Sequence, residues 1–144
     1  MLIIKHTVTT TATPAHIWQV LQDVENWNGW DHGTASSGLE GPFQAGTPGW
    51  LKPVNGPLLK TILTQVEPHK LFVQEAELVL ARAVMTHIIS NVAGITQVTF
   101  QTEIRGPLAL FWVFLLGSSI KKKIPLEMVA MLKKTTALAG ADPS

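Results

Sequence analysis

The chain has 144 residues, enough for one domain with a sizeable core, and its net charge of +1 offers no basic field that would draw nucleic acid. Only 15% of the residues are charged and 46% are hydrophobic, against a charged share of roughly 25% in ordinary soluble domains. A small chain uses such an apolar surplus to line a cavity or to cover a partner or membrane surface. The absence of cysteine excludes disulfides, thiol nucleophiles and thiolate metal sites.

The opening residues MLIIKHTVTT lack a basic region followed by a long apolar stretch, so they do not read as a signal peptide, and a cytoplasmic location is expected. Residues 2–11 alternate loosely and are rich in Ile, Val and Thr, which predicts a strand. TPAHIWQVLQD then starts a helix, with Thr13 as its cap and Pro14 in the first helical position. Its apolar side is Ile17, Val20, Leu21 and Val24. VENWNGWD follows as a short helical turn broken by Gly29.

From Gly33 to Arg105 the punctuation is that of turns: GLEGPF, AGTPG, PVNGP, EPHK and NVAG separate strand-like runs. LKTILTQVE places Ile62, Thr64 and Val66 on one face. RAVMTHIIS places Met85, His87 and Ile89 on one face, and ITQVTFQTEI sets Thr96, Val98, Phe100, Thr102 and Ile104 against a polar opposite face. Trp50 has the parity of an outward residue, opposite Leu51.

After Gly106-Pro107 the period becomes helical. The run Leu108–Leu116 is too short to span a bilayer, which takes about 20 apolar residues. Leu108, Phe111, Trp112 and Leu115 form a stripe that Ile124, Met128, Met131, Leu132 and Thr135 roughly continue. Lys121, Lys122, Lys123, Glu127, Lys133 and Lys134 are expected mainly outside as a solvated face, and Gly117 and Pro125 to bend or break the helix. The final AGADPS reads as a frayed tail. One strand, two short helices, about six antiparallel strands and a long helix describe an α+β chain. Its curved sheet has one amphipathic element available to cover its apolar face.

The segments TPAHIWQVLQDVENWNGWD, LEGPFQAGTPGWLKP, TQVEPHKLFV and RGPLALFWVFLLGSSIKKKIP, in that order, resemble the SRPBCC or START-like superfamily. The likeness is greatest to its bacterial polyketide cyclase/dehydrase and lipid-transport type. It covers residues 2–138, although the NVAGIT loop departs from the acidic, glycine-rich turn usual there. The resemblance implies a helix-grip fold: a curved antiparallel sheet of about seven strands wrapped around a long C-terminal helix, with two short helices after the first strand. It implies a single START-like domain over 1–138, a flexible tail over 139–144, and an internal cavity with residue 87 on its side.

No nucleophile elbow, phosphate-binding glycine loop or paired histidine spacing occurs; the five histidines stand at 6, 16, 32, 69 and 87. No metal or cofactor is expected. His87 is a candidate acid/base or ligand-orienting group, weighed against a structural histidine bonded to a neighbouring carbonyl. Glu75 is a second catalytic candidate, with Glu77 and Arg82 beside it, weighed against a place on the outer face of the strand. The expected ligand-binding wall is Trp27, Trp30, Leu51, Met85, His87, Val98, Phe100, Phe111, Trp112 and Leu115.

Binding or transport of a small hydrophobic molecule, a lipid, isoprenoid or polyketide-like compound, ranks first. The alternatives are a polyketide cyclase/dehydratase using a cavity histidine, and an interaction or co-chaperone-like module. The expected partner is the small ligand, with no nucleic acid, no stable membrane insertion, and a homodimer compatible with the fold.

Overall fold

The computed structural model describes residues 3–31, 33–54 and 56–141. Strand β1 (Ile3–Thr10) leads into helix α1 (Pro14–Gln22) and a 3₁₀ turn (Val24–Gly29). Six strands follow: β2 (Thr34–Leu39), β3 (Pro48–Pro53), β4 (Leu59–Glu67), β5 (Leu71–Leu78), β6 (Ala81–Val92) and β7 (Ile95–Arg105). Helix α2 (Ala109–Ala141) closes the chain. The α1 start is built as the sequence predicts: Thr13 is in extended conformation and its Oγ1 accepts the His16 N–H at 3.2 Å, answering one of the free donors of a helix start.

The strands form one antiparallel sheet in the order β1-β7-β6-β5-β4-β3-β2, so every neighbour except β1–β7 is a hairpin partner. The sheet curls, and its concave face carries the row Phe72–His87–Phe100–His6 and, beside it, Leu63–Gln74–Met85–Thr102. A register shift between Leu63 and Gln65 splits the face expected for β4. Leu63 is buried and Ile62 exposed, yet Val66 lies opposite the buried Phe72. The extra residue of a bulge reverses the alternation, so Ile62 and Val66 do not share a side.

At the NVAGIT turn, Ala93 and Gly94 both have positive φ, 54° and 84°. That pair of left-handed residues gives a two-residue turn whose twist matches its strands. It joins Val92 directly to Ile95 in register.

Helix α1, the 3₁₀ turn and the second half of α2 cover the aromatic end of the sheet. Ile17, Leu21, Trp27 and Trp30 meet Phe72, Val98 and Phe100, and Ile124, Met128 and Met131 complete the cluster. Pro125 lies inside α2, which continues through it and through Gly117 rather than breaking. The expected tail is helical as far as Ala141; residues 142–144 lie outside the described residues, as does His32.

The phase of the first half of α2 differs from expectation. Ala109 is buried and Leu116 half-buried, whereas Phe111 and Leu115 are exposed. An α-helix turns about 100° per residue, so a stripe misassigned by one position faces a different neighbour. Because this segment is apolar on all sides, periodicity could not fix which side met the sheet.

Candidate functional site

A cavity of about 220 Å³ lies between the sheet and α2, beyond the aromatic row. Its floor is made of small residues, Ala76 and Ala83, which pair across β5 and β6. Beside them are Leu78, Met85, Thr102 and Ile104; Leu51, Pro53 and Leu59 form one wall, and Leu116 and Ile124 of α2 form the roof. Alanines across the sheet leave room that larger residues would fill, which is why the hollow lies here and not over Phe72.

The polar groups of this cavity are Asp31, Thr34, Thr102, Lys123 and Glu127. Asp31 follows the 3₁₀ turn and is fixed by two donors, the Gly33 N–H at 3.0 Å and the Thr34 hydroxyl at 2.7 Å. Lys123 and Glu127 are four residues apart, hence on one side of α2. The Lys123 ammonium packs beside Gly33, where a Cβ would come within 3.3 Å of it.

Glu127 carries a raised pKa, pushed up to about 8 by burial first, then by the charge of Asp31 and the hydrogen bond to it, with Lys123 opposing. A carboxyl group held protonated near neutrality has one O–H, here directed to Asp31, which a ligand carbonyl can take over in place of Asp31, and a carbonyl oxygen that can accept from a ligand hydroxyl. The arrangement therefore sets one proton donor and one amine at the wall of an apolar hollow. Among the described residues, no group of three His, Cys, Asp or Glu side chains is gathered as metal ligands would be.

Of the ten wall residues expected from sequence, Leu51 and Met85 line this cavity. Trp27, Trp30, Val98 and Phe100 are buried in the aromatic cluster beside it. Phe111 and Leu115 are exposed, and Trp112 turns its indole N–H to the Val79 carbonyl at 2.9 Å. Glu127, expected outside, is half-buried at the cavity wall, while Lys123 is exposed as expected and borders the cavity mouth. Only the spacing of Glu127 from its buried neighbours could have signalled it: Glu127 falls between the buried Ile124 and Met131 on the helix.

His87 is on the concave face but is not among the lining residues. Its ring stacks on Phe72 at 4.1 Å and 9°, with Phe100 edge-on at 4.7 Å, and its Nδ1 is buried without a hydrogen-bond partner. Burial lowers its pKa to about 4, only partly offset by the Phe72 carbonyl. The residue is half-buried, and an imidazole held neutral in this way carries no proton to give near neutrality.

This makes His87 a source of acid sensitivity. An unfolded imidazole takes a proton near pH 6.5 and the folded one only near 4. Its contribution is full above about 6.5 and is lost as pH falls toward 4. His87→Phe should keep the stack and remove roughly 2–3 kcal/mol of that loss. Urea melts of both proteins at pH 7.5 and 4.5 check it: an unchanged acid loss in the variant would assign the sensitivity elsewhere.

Glu75 lies on the opposite, convex face, where it accepts from Arg82 at 3.0 Å. It borders an open groove of about 700 Å³ with Trp50, Lys60, Ile62, Glu77 and Arg82. That groove is larger than the inner cavity, but its charges are of both signs and largely solvated. Trp50 lies over Gly38 on this outer face, as its parity predicts.

The fold has clear counterparts among solved structures. A hypothetical protein from Helicobacter pylori matches with a TM-score of 0.78 at 9% identity, over 93% of this chain and 88% of that one. The Zhui aromatase/cyclase from Streptomyces sp. R1128 matches with a TM-score of 0.74 at 14% identity, over 94% and 93%. The Aha1 dimer from Colwellia psychrerythraea matches with 0.66 at 16%, over 91% and 93%. At these identities the likeness concerns the helix-grip fold alone. No curated protein matches the sequence. The family model described as polyketide cyclase / dehydrase and lipid transport matches residues 1–133, nearly the whole chain, and the protein belongs to that family.

Proposed function

We propose that this protein binds a small, mostly apolar molecule bearing one carbonyl or hydroxyl group, with its apolar body over Ala76 and Ala83 and its polar end at Glu127. The observation that carries this reading is the Glu127–Asp31 pair set, with Lys123 beside it, at the wall of a mostly apolar hollow. A volume of about 220 Å³ is below the several hundred Å³ usual for drug-sized ligands. It suits a molecule of one or two rings better than a two-chain lipid. The family description and the aromatase/cyclase neighbour support a polyketide-like compound.

Acid–base catalysis on a bound ketone is the second reading. It rests on the same Glu127–Asp31 pair and not on His87, which stacks on Phe72 outside the lining of this cavity.

The test is fluorescence titration with N-phenyl-1-naphthylamine, a neutral and mostly apolar probe. Ala83→Leu should weaken binding by roughly tenfold or more, since it fills the floor of the hollow. Its thermal stability should be retained. Probe affinity unchanged by Ala83→Leu would remove this cavity as the binding site.

A further inference from the structure

We propose that the outward side of α2 and the β5–β6 turn form a docking surface for an anionic lipid bilayer. The turn is the first sign. Val79 and Leu80 are its two loop residues, 67% and 63% exposed. Leu80 has a φ of 51°. Two-residue hairpin turns favour Asn and Gly because left-handed backbone is costly for other residues. Here a strained position at a solvent-facing tip is occupied by a large apolar side chain, which gives no benefit to the folded chain alone. Strain kept at such a place points to a use.

This tip is fixed to the start of α2. The Leu80 carbonyl accepts the Leu108 N–H at 3.0 Å, and the Val79 carbonyl accepts the Trp112 indole N–H at 2.9 Å. Gly106, with a φ of 116°, permits the approach, since a Cβ there would meet Ala81 and the Leu80 carbonyl. Tip and helix thus present one surface, which Phe111 and Leu115 continue at 52% and 55% exposure and which Leu110 and Phe114, at 78% and 89%, carry further round the helix. It adjoins the cavity: Leu78 and Leu116, next in sequence to Val79 and Leu115, both line it.

Charge selects the occupant. Helix α2 carries five lysines and a single acidic residue, Glu127, which faces the cavity and is hydrogen-bonded to Asp31. Lys121, Lys122, Lys133 and Lys134 are exposed. At 100° per residue, Lys121 lies on the same side of the helix as Leu110 and Phe114, and Lys122 on that of Phe111 and Leu115. A second copy joined through a two-fold axis along this face would set lysines near lysines with no acid to pair them. An anionic headgroup layer complements both the apolar side chains and the lysines. Among the described residues no helix is long and apolar enough to cross a membrane, so the contact is one of lying on the surface. The position of the cavity beside it suits direct exchange of a hydrophobic ligand with the bilayer.

The experiment is flotation of the full chain with vesicles of phosphatidylcholine alone and with one-third phosphatidylglycerol. Binding is expected to the anionic vesicles, weakening as salt is raised. Phe114→Ser should reduce it roughly tenfold. Lys121→Glu with Lys122→Glu should reduce it by at least about fivefold per lysine. Leu80→Gly is the decisive variant: glycine suits the left-handed backbone, so thermal stability should hold or rise while vesicle binding falls. N-phenyl-1-naphthylamine binding in solution should be unchanged in all of them, so a failure of docking is separable from a failure of the cavity reading. The proposal is overturned by absence of vesicle binding, by binding that ignores these substitutions, or by a concentration-dependent dimer in light scattering that Phe114→Ser abolishes without any vesicle binding.

Discussion

A chain ending at Gly106 is expected to show no cooperative thermal transition. The sheet, α1 and the 3₁₀ turn would all remain, but Ile124, Met128 and Met131 would be gone from the centre of the core, where each is at most 5% exposed. Truncating one such residue to alanine costs about 2–5 kcal/mol, and total stability is only about 5–15 kcal/mol. Losing three, and wetting Ile17, Val98 and Phe100 beneath them, exceeds what the remainder can supply. Met128→Ala alone should cost about 2–5 kcal/mol and keep the transition. Calorimetry on the three proteins checks the ordering. A sharp transition in the 1–106 fragment would mean that the curled sheet and α1 hold each other, with α2 only resting on them.

Why that helix was legible in outline and not in phase is a matter of pattern. In its second half the polar residues Lys121, Lys122, Lys133 and Lys134 interrupt the apolar ones, and Ile124, Met128, Met131 and Thr135 are buried as their spacing implies. In its first eight residues, 109–116, every position is apolar, so burial depends on where the helix meets the β5–β6 turn, a contact between residues some thirty apart in sequence.

The sheet was legible where alternation is strict, as in β7, whose Thr96, Val98, Phe100 and Ile104 are buried. It was misread in β4, where a bulge changes parity without any glycine to mark it. The cavity site was the least legible part. Asp31 and Glu127 are 96 positions apart and look like ordinary surface acids; they matter only because the turn after Trp30 and the middle of α2 meet at the rim of a hollow. His87 shows the reverse: the family resemblance implied its inward side, but the rings that pack against it come from β5 and β7.

Glu127→Gln is expected to stabilise the protein at alkaline pH and to leave it unchanged in acid. The folded protein holds the Glu127 proton up to about pH 8, against an ordinary carboxyl value of 4.5. Below about 4.5 both folded and unfolded chains are protonated there and the residue contributes no pH dependence. Between 4.5 and 8 the folded state binds the proton and the unfolded state does not, so stability falls as pH rises through this window and the full cost is present above 8. One pKa unit is about 1.4 kcal/mol, and solvent at the cavity wall reduces the full figure, so Gln should recover roughly 2–4 kcal/mol at pH 8.5. Asp31→Asn should recover part of it, because it removes the charge and weakens the hydrogen bond that raise Glu127, though burial, the largest cause, remains. Urea melts at pH 5 and 8.5 measure this directly. If the two proteins differ equally at both pH values, Glu127 does not hold a proton in the folded state. The same result would remove the hydrogen-bond donor on which ligand recognition at this cavity rests.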